Sequence, residues 1–259
     1  MNFTEIIAGF SFDGALKGRV AENWLQGRTI YGGMTAALCL EGALRTFPDL
    51  PPLRSAQISF VGPAEGEVAV SATILRRGKS VTFVNADLSG DKGLAARAVF
   101  AFGAARASAV GANFIEDRGV GDPSTLERLG AHQLTPAFAL NFDRCFVRGG
   151  LPYSGSNDCD MYFWVRHRDP NATSISALLA LADMPPPAVI PLFPQPAPLS
   201  TMTWTLNFLT DHPKTEGGWW LLQSRAENAA EGYSSQDMFV WNRAGEPVIA
   251  GRQSVAIFL

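Results

Sequence analysis

Cysteine and histidine are both scarce in this chain, with three of each among 259 residues. Cys39, Cys145 and Cys159 are odd in number, scattered, and free of any C-x-x-C spacing. That pattern excludes a disulfide framework and a zinc site of the usual kind, and it fits reduced thiols. His132, His167 and His212 are equally dispersed, and the sequence has no H-E-x-x-H, no G-x-S-x-G elbow and no P-loop. No glycine-rich dinucleotide fingerprint follows a strand. These absences argue against a Ser-His-Asp hydrolase, a zinc hydrolase and a nucleotide-binding enzyme. No metal and no other cofactor is expected.

Charge is also sparse. Charged residues make up 17% of the chain, and 21 basic against 24 acidic side chains leave a net charge of -3. Such a balance generates no field that would gather nucleic acid or anionic lipid. The Trp219-Trp220 pair and the 17 phenylalanines read as core and interface, not as a base-stacking surface. No apolar run approaches the roughly 20 residues that span a bilayer. The opening "MNFTEIIAGFSF" carries Glu5 and no base before Lys17, unlike a secretory signal. The expectation is a cytoplasmic protein that neither binds nucleic acid nor inserts into a membrane.

What is abundant is apolar residue, 47% of the total, in a pattern that is mostly β with two conspicuous helices. "YGGMTAALCLEGALRTFPDLPP" opens on Gly32-Gly33 and closes before Pro48. Met34, Ala37, Leu38, Leu40 and Leu44 leave it little polar surface, so it is buried on most sides. Four strands are expected after it, in "SAQISFVGP", "EVAVSATILRR", "SVTFVNADLSGDKG" and "LAARAVFAFGAA". The second half repeats the plan. Two strands, "FALNFDRCFVRG" and "DMYFWVRHRD", precede the helical "NATSISALLALADM", and strands follow near 200–209, 218–229, 233–243 and 247–258. "RGKSVTFVNADLSGDKG" in the first half and "EGYSSQDMFVWNRAGEP" in the second share a glycine, a polar start, an apolar strand and a tight turn. Duplication of one unit is the economical reading. The fold class is therefore α+β, a double hotdog: two tandem units, each with an antiparallel sheet wrapped around a central helix. The expected divisions are 1–112, a polar linker at 113–135, and 136–259.

The chain resembles the double-hotdog acyl-CoA thioesterases of the thioesterase II type, over nearly its whole length. "YGGMTAALCL", "LRSAQISFVGPAEGEVAVSATILRRGKSVTFVNADL" and "GLAARAVFAFG" carry the likeness in the first half. "LADMPPP", "PLSTMTWTLNF" and "GWWLLQSRAENAAEGYSSQDMFVWNRAGEPVIAGRQSVAIF" carry it in the second. The proline-rich "MPPPAVIPLFPQPAPLS" is richer than the family pattern and bears on the shape of the cleft. The resemblance implies hydrolysis of an acyl thioester by water that an Asp, a Thr and a Gln position. By motif these are Asp183, Thr201 and Gln253, with Thr203 the competitor for the threonine. It further implies acyl-CoA as substrate and assembly into a homo-oligomer.

Read on their own, the same residues leave alternatives open. Asp183 ends a helix, where the carbonyl end of the dipole disfavours negative charge by a few tenths to about 1 kcal/mol. It falls in line with Ser176 and Ala180 on a helix otherwise lined by Ile175, Leu178, Leu179 and Ala182. It is either a base facing a cavity or an exposed acid at a fraying end. Gln253 is a polar residue in the apolar row Ile249, Val255 and Ile257. An unpaired buried amide costs roughly 1–3 kcal/mol, so it must have partners, catalytic or structural. Thr201 belongs to the row Thr203, Thr205 and Asn207, which a solvated strand face explains equally well. Gly32 and Gly33 at a helix start suit an oxyanion site made of free N–H groups, or simply a tight entry. Two other classes of function stand beside hydrolysis: a hotdog enoyl-thioester hydratase using a His-Asp pair, and a catalytically silent acyl-CoA binder.

Overall fold

The computed structural model describes residues 1–116 and 118–259, so position 117 of the expected linker lies outside the described residues. The chain opens with a short helix, α1 (Phe3–Gly9), absent from the sequence reading. Its cause is local: the Asn2 side chain accepts from the Glu5 N–H while the Glu5 carboxylate accepts from the Asn2 N–H, a reciprocal cap. Thr4 then ties α1 to the second half through Asp169, with its hydroxyl 2.7 Å from the carboxylate. Strands β1 (Ser11–Phe12) and β2 (Leu16–Arg19) and a two-stranded ribbon, β3 (Leu25–Gln26) with β4 (Thr29–Ile30), lead into α2 (Gly32–Thr46). Four strands complete the first half: β5 (Leu53–Phe60), β6 (Glu67–Arg77), β7 (Val81–Gly90) and β8 (Gly93–Gly103).

The second half starts with β9 (Phe142–Arg148) and β10 (Asp160–His167), followed by α3 (Ile175–Ala182). This helix begins later than the quoted stretch suggests, because Ser174 is its N-cap and accepts from the Ala177 N–H at 3.1 Å. Four strands close the chain: β11 (Leu199–Phe208), β12 (Trp220–Ala230), β13 (Tyr233–Asn242) and β14 (Pro247–Ile257).

Twelve of these strands form one antiparallel sheet, in the order β1-β2-β6-β7-β8-β5-β11-β14-β13-β12-β10-β9. The halves therefore meet edge to edge at β5 and β11, where Trp204 faces Ile58 and Leu206 faces Ala56. All four side chains are buried, so the seam carries core on its inner face. Both central helices lie in one continuous core that spans the two halves. Residues expected to be a plain linker do more: Ile115, Val120 and Leu126 pack on Trp164, Trp219 and Trp241 over the far face of the second half. The Trp164 indole N–H donates to the Gly121 carbonyl at 2.8 Å, and Arg243 grips Asp122 with two nitrogens.

Candidate active site

The two central helices run antiparallel. Gly33, at the start of α2, lies under the Ala180 carbonyl near the end of α3, while Leu44 and Ile175 line one cavity at the opposite ends. The negative end of α3 thus meets the positive end of α2. Tyr31, the residue before α2, locks this junction: its hydroxyl donates to the Ala180 carbonyl at 2.8 Å, and its ring stacks on Phe138 with centroids 3.9 Å apart. Burial and the nearby Asp183 charge push the Tyr31 hydroxyl well above its ordinary pKa, so it stays a donor.

Asp183 occupies the C-cap of α3 and is half-buried at this junction. The helix that carries it is held by Leu178, Leu179 and Leu181, all buried. Each such side chain is worth about 1.5–3 kcal/mol, enough to outweigh a carboxylate at the wrong end of a dipole. The second dipole then compensates. The first intrahelical bond of α2 runs from the Thr35 N–H to the Tyr31 carbonyl, which leaves the N–H groups of Gly32, Gly33 and Met34 without acceptors inside the helix. The Gly33 N–H bonds to Asp183, and the Asp183 Oδ2 lies against Gly32, 2.7 Å from where a Cβ there would stand. On the other side the Gln253 amide donates to Asp183 Oδ1 at 2.7 Å. Burial raises the Asp183 pKa, the Gln253 and Gly33 donors lower it by less, and the result is about 7.

Gln253 is itself buried on β14, and its carbonyl oxygen accepts from the Gln236 amide at 3.0 Å. Asp183 and Gln253, distant by 70 positions in sequence, are thus in direct contact. Thr201 reaches the same face by a route that simple alternation misses. A bulge interrupts the pairing of β11 with β14 between Thr201 and Thr203. Thr201 pairs with Val255, two residues from Gln253 and on its face, whereas Thr203 pairs with Ser254 on the other. Thr203 is exposed and Thr201 is half-buried. The row Thr201, Thr203, Thr205, Asn207 expected from sequence therefore loses its first member to the inner side. For Gly32 and Gly33 the picture is also altered, since the Gly33 N–H is directed at the carboxylate.

Histidine plays no part here. The His167 Nε2 lies 2.8 Å from the Ala177 carbonyl near the start of α3, and burial pushes its pKa down to about 4. His132 and His212 are exposed. A cavity of about 1300 Å³ opens between the halves, but its lining runs from Leu44 and Ile175 to Lys214 and includes none of the five residues singled out from sequence. Among the described residues no group of three or more His, Cys, Asp or Glu side chains could hold a metal ion. Sequence reasoning passed over Gln236 and Tyr31. Gln236 carried a signal of the same kind as Gln253, an amide in the buried row Ser234, Met238, Val240.

Two family models match, the acyl-CoA thioesterase N-terminal domain over residues 20–103 and the acyl-CoA thioesterase C-terminal domain over residues 117–257. A search of the curated proteins found no match. Among solved structures, a hot dog fold protein of unknown function from Alicyclobacillus acidocaldarius superposes with a TM-score of 0.89 at 24% identity, covering 100% of this chain and 99% of that one. A putative thioesterase II from Thermobifida fusca gives 0.82 at 18% identity, covering 100% and 98%. The dehydratase domain of RzxB from Pseudomonas fluorescens is more distant, with 0.56 at 13% identity and 93% of each chain covered. The fold is the double hotdog, and with more than half its length matched by one family model, the chain belongs to the acyl-CoA thioesterase family.

Proposed function

We propose that hydrolysis of the acyl thioester in this thioesterase is driven by Asp183 acting as general base on a water molecule, with Gln253 and Thr201 aligning carboxylate and water. The observation that carries this reading is the Gln253 amide on Asp183 at 2.7 Å, at the N-terminal end of α2. A carboxylate with a pKa near 7 is half ionised at neutral pH and can both take and return a proton there. The water oxygen attacks the thioester carbonyl carbon as its proton passes to Asp183. The carbon–sulfur bond then breaks, and the leaving thiolate is protonated from Asp183, giving free acid and thiol. Thiolate is a good leaving group, so orientation and oxyanion stabilisation suffice without an acyl-enzyme. The Gly33 N–H serves Asp183, so the thioester oxygen falls to the neighbouring free N–H groups of Gly32 and Met34.

A hydratase would need a histidine paired with Asp183, and His167, the buried one, bonds instead near the start of α3. CoA as the carrier and assembly into a homo-oligomer belong to the same reading and rest on family likeness, and a cytoplasmic location rests on features of the sequence. No helix among the described residues is long and apolar enough to cross a membrane. The test is thiol release from a series of straight-chain acyl-CoA thioesters by wild type and Asp183→Asn. Loss of a general base lowers kcat by about 10²–10⁴-fold. Undiminished turnover in the variant overturns the mechanism, and saturable binding without turnover in wild type makes the protein a binder.

A further inference from the structure

Resting on the assignment of Asp183 as base, we propose that Gln236 is a positioning residue that fixes which end of the Gln253 amide faces Asp183, and that the Ala188 backbone N–H fixes Gln236 in turn. Donor and acceptor order sets the direction of the relay. The Ala188 N–H donates to Gln236 Oε1 at 2.7 Å. Gln236 Nε2 donates to Gln253 Oε1 at 3.0 Å, and Gln253 Nε2 donates to Asp183 Oδ1 at 2.7 Å. A primary amide can be turned end for end at little steric cost, so two amides in series have no preferred direction of their own. A backbone N–H can only donate. At one end of the relay it forces Gln236 to present oxygen, which forces nitrogen toward Gln253 and nitrogen again toward Asp183. Gln236 and Gln253 are both buried and stand directly opposite each other on β13 and β14, so neither can exchange this partner for bulk water.

The proline run gives the anchor its place. Pro185, Pro186 and Pro187 carry no N–H, so after Met184 the first backbone donor in the chain is that of Ala188. Three consecutive prolines restrict the backbone between Asp183 and Ala188, and the relay closes a ring from the carboxylate through two glutamines back to the same segment. The prolines that open the proline-rich "MPPPAVIPLFPQPAPLS" thereby acquire a use: a stiff strap that aims one N–H.

The consequence for catalysis is a carboxylate that meets a donor at Oδ1 and stays available as an anion. Reversal of Gln253 would set a carbonyl oxygen against Asp183, favour its protonated form and leave it a poorer base near neutral pH. Among the described residues, the other titratable side chain coupled to Asp183 is Tyr31, which donates to Ala180 and stays protonated. The remaining groups acting on the carboxylate, Gln253 and the Gly33 N–H, do not titrate.

The experiment is the pH profile of kcat and KM for acyl-CoA hydrolysis by wild type, Gln236→Met and Gln236→Glu, with fold and thermal midpoint checked by circular dichroism. Gln236→Met removes the relay at similar volume. It is expected to move the ascending limb of kcat upward by about one pH unit and to leave KM within about twofold. Gln236→Glu is isosteric. Its protonated acid keeps the order, accepting from Ala188 and donating to Gln253, and its anion accepts at both ends. This variant is expected to turn over only where Asp183 is ionised and the introduced glutamic acid is still protonated, and so to gain a descending limb, as Glu ionises, that wild type lacks. Folded variants with the wild-type profile, or with a rate lowered equally at every pH, overturn the proposal. If Gln236→Met does not fold, Gln236→Glu decides alone. Asp183→Asn, run alongside, separates the two readings: unchanged turnover there removes the base itself, whereas its loss combined with wild-type profiles at position 236 removes only the relay.

Discussion

At the scale of the residue, Asp183 is a carboxylate whose charge is held at a cost to stability. Its folded pKa of about 7 lies well above the ordinary carboxylate value, so between these two values the folded state holds a proton that the unfolded chain has released. Stability from this group is present in full below the ordinary value and is lost as pH rises through about 7. Asp183→Asn, which cannot ionise, should therefore show a higher thermal midpoint than wild type above pH 7 and no such advantage near pH 4, measured by calorimetry at matched ionic strength. An equal or lower midpoint at both pH values would mean that the charge is not held at a cost. Asp183 and Gln253 stand out in the sequence because each breaks an apolar pattern, a charge on an oily helix and an amide in an oily strand. The pattern left each with two readings, and only the resemblance chose between them. That the two side chains meet is what the structure adds. Gln236 broke its pattern in the same way and was passed over, because an amide between Ser235 and Asp237 looks ordinary until the face it shares with Met238 is separated from its neighbours. Thr201 was not legible from alternation at all. A bulge adds one residue to one strand without a reliable mark in composition, and here it reverses which threonine faces inward.

At the scale of the element, the junction of α2 and α3 depends on two glycines with different tasks. A Cβ at Gly33 would run into the Ala180 carbonyl oxygen and the Tyr31 ring. One of these is backbone and the other is pinned by its own hydrogen bond and stacking, so neither can yield cheaply. Gly33→Ala is expected to cost about 1–3 kcal/mol in urea unfolding by forcing the helices apart. At Gly32 the obstacle is the Asp183 carboxylate, the far end of a side chain, so Gly32→Ala should lower kcat by displacing the proposed base while costing less stability. If the two substitutions affect stability and rate alike, this division of labour is wrong. Both helices and the ten strands that follow β4, apart from their exact ends, were legible from periodicity, as the central helices are apolar and the strands alternate. Helix α1 was not, although Asn2 and Glu5 stand at capping-box spacing, because seven residues show too little periodicity to declare a face. The pairing of α2 with α3 is equally silent in sequence, since it depends on contacts between residues about 150 positions apart.

At the scale of the whole molecule, the repeat of one helix and its strands pointed to the double hotdog, and the seam at β5 and β11 turns two sheets into one. The segment expected to link the halves has a different character. It strides across the aromatic outer face of the second half, and its polar composition concealed the three apolar residues that hold it there. With the halves joined by the seam and by one shared core, covalent continuity between them should be dispensable once the protein has folded. Arg106 lies exposed just beyond β8, where trypsin can reach it. A chain cut at that point should still elute from a sizing column as a single species, with full thioesterase activity, and should separate into its two fragments only in urea. The seam would then behave as an interface between two polypeptides, and the double hotdog as a heterodimer whose subunits happen to be translated in one piece.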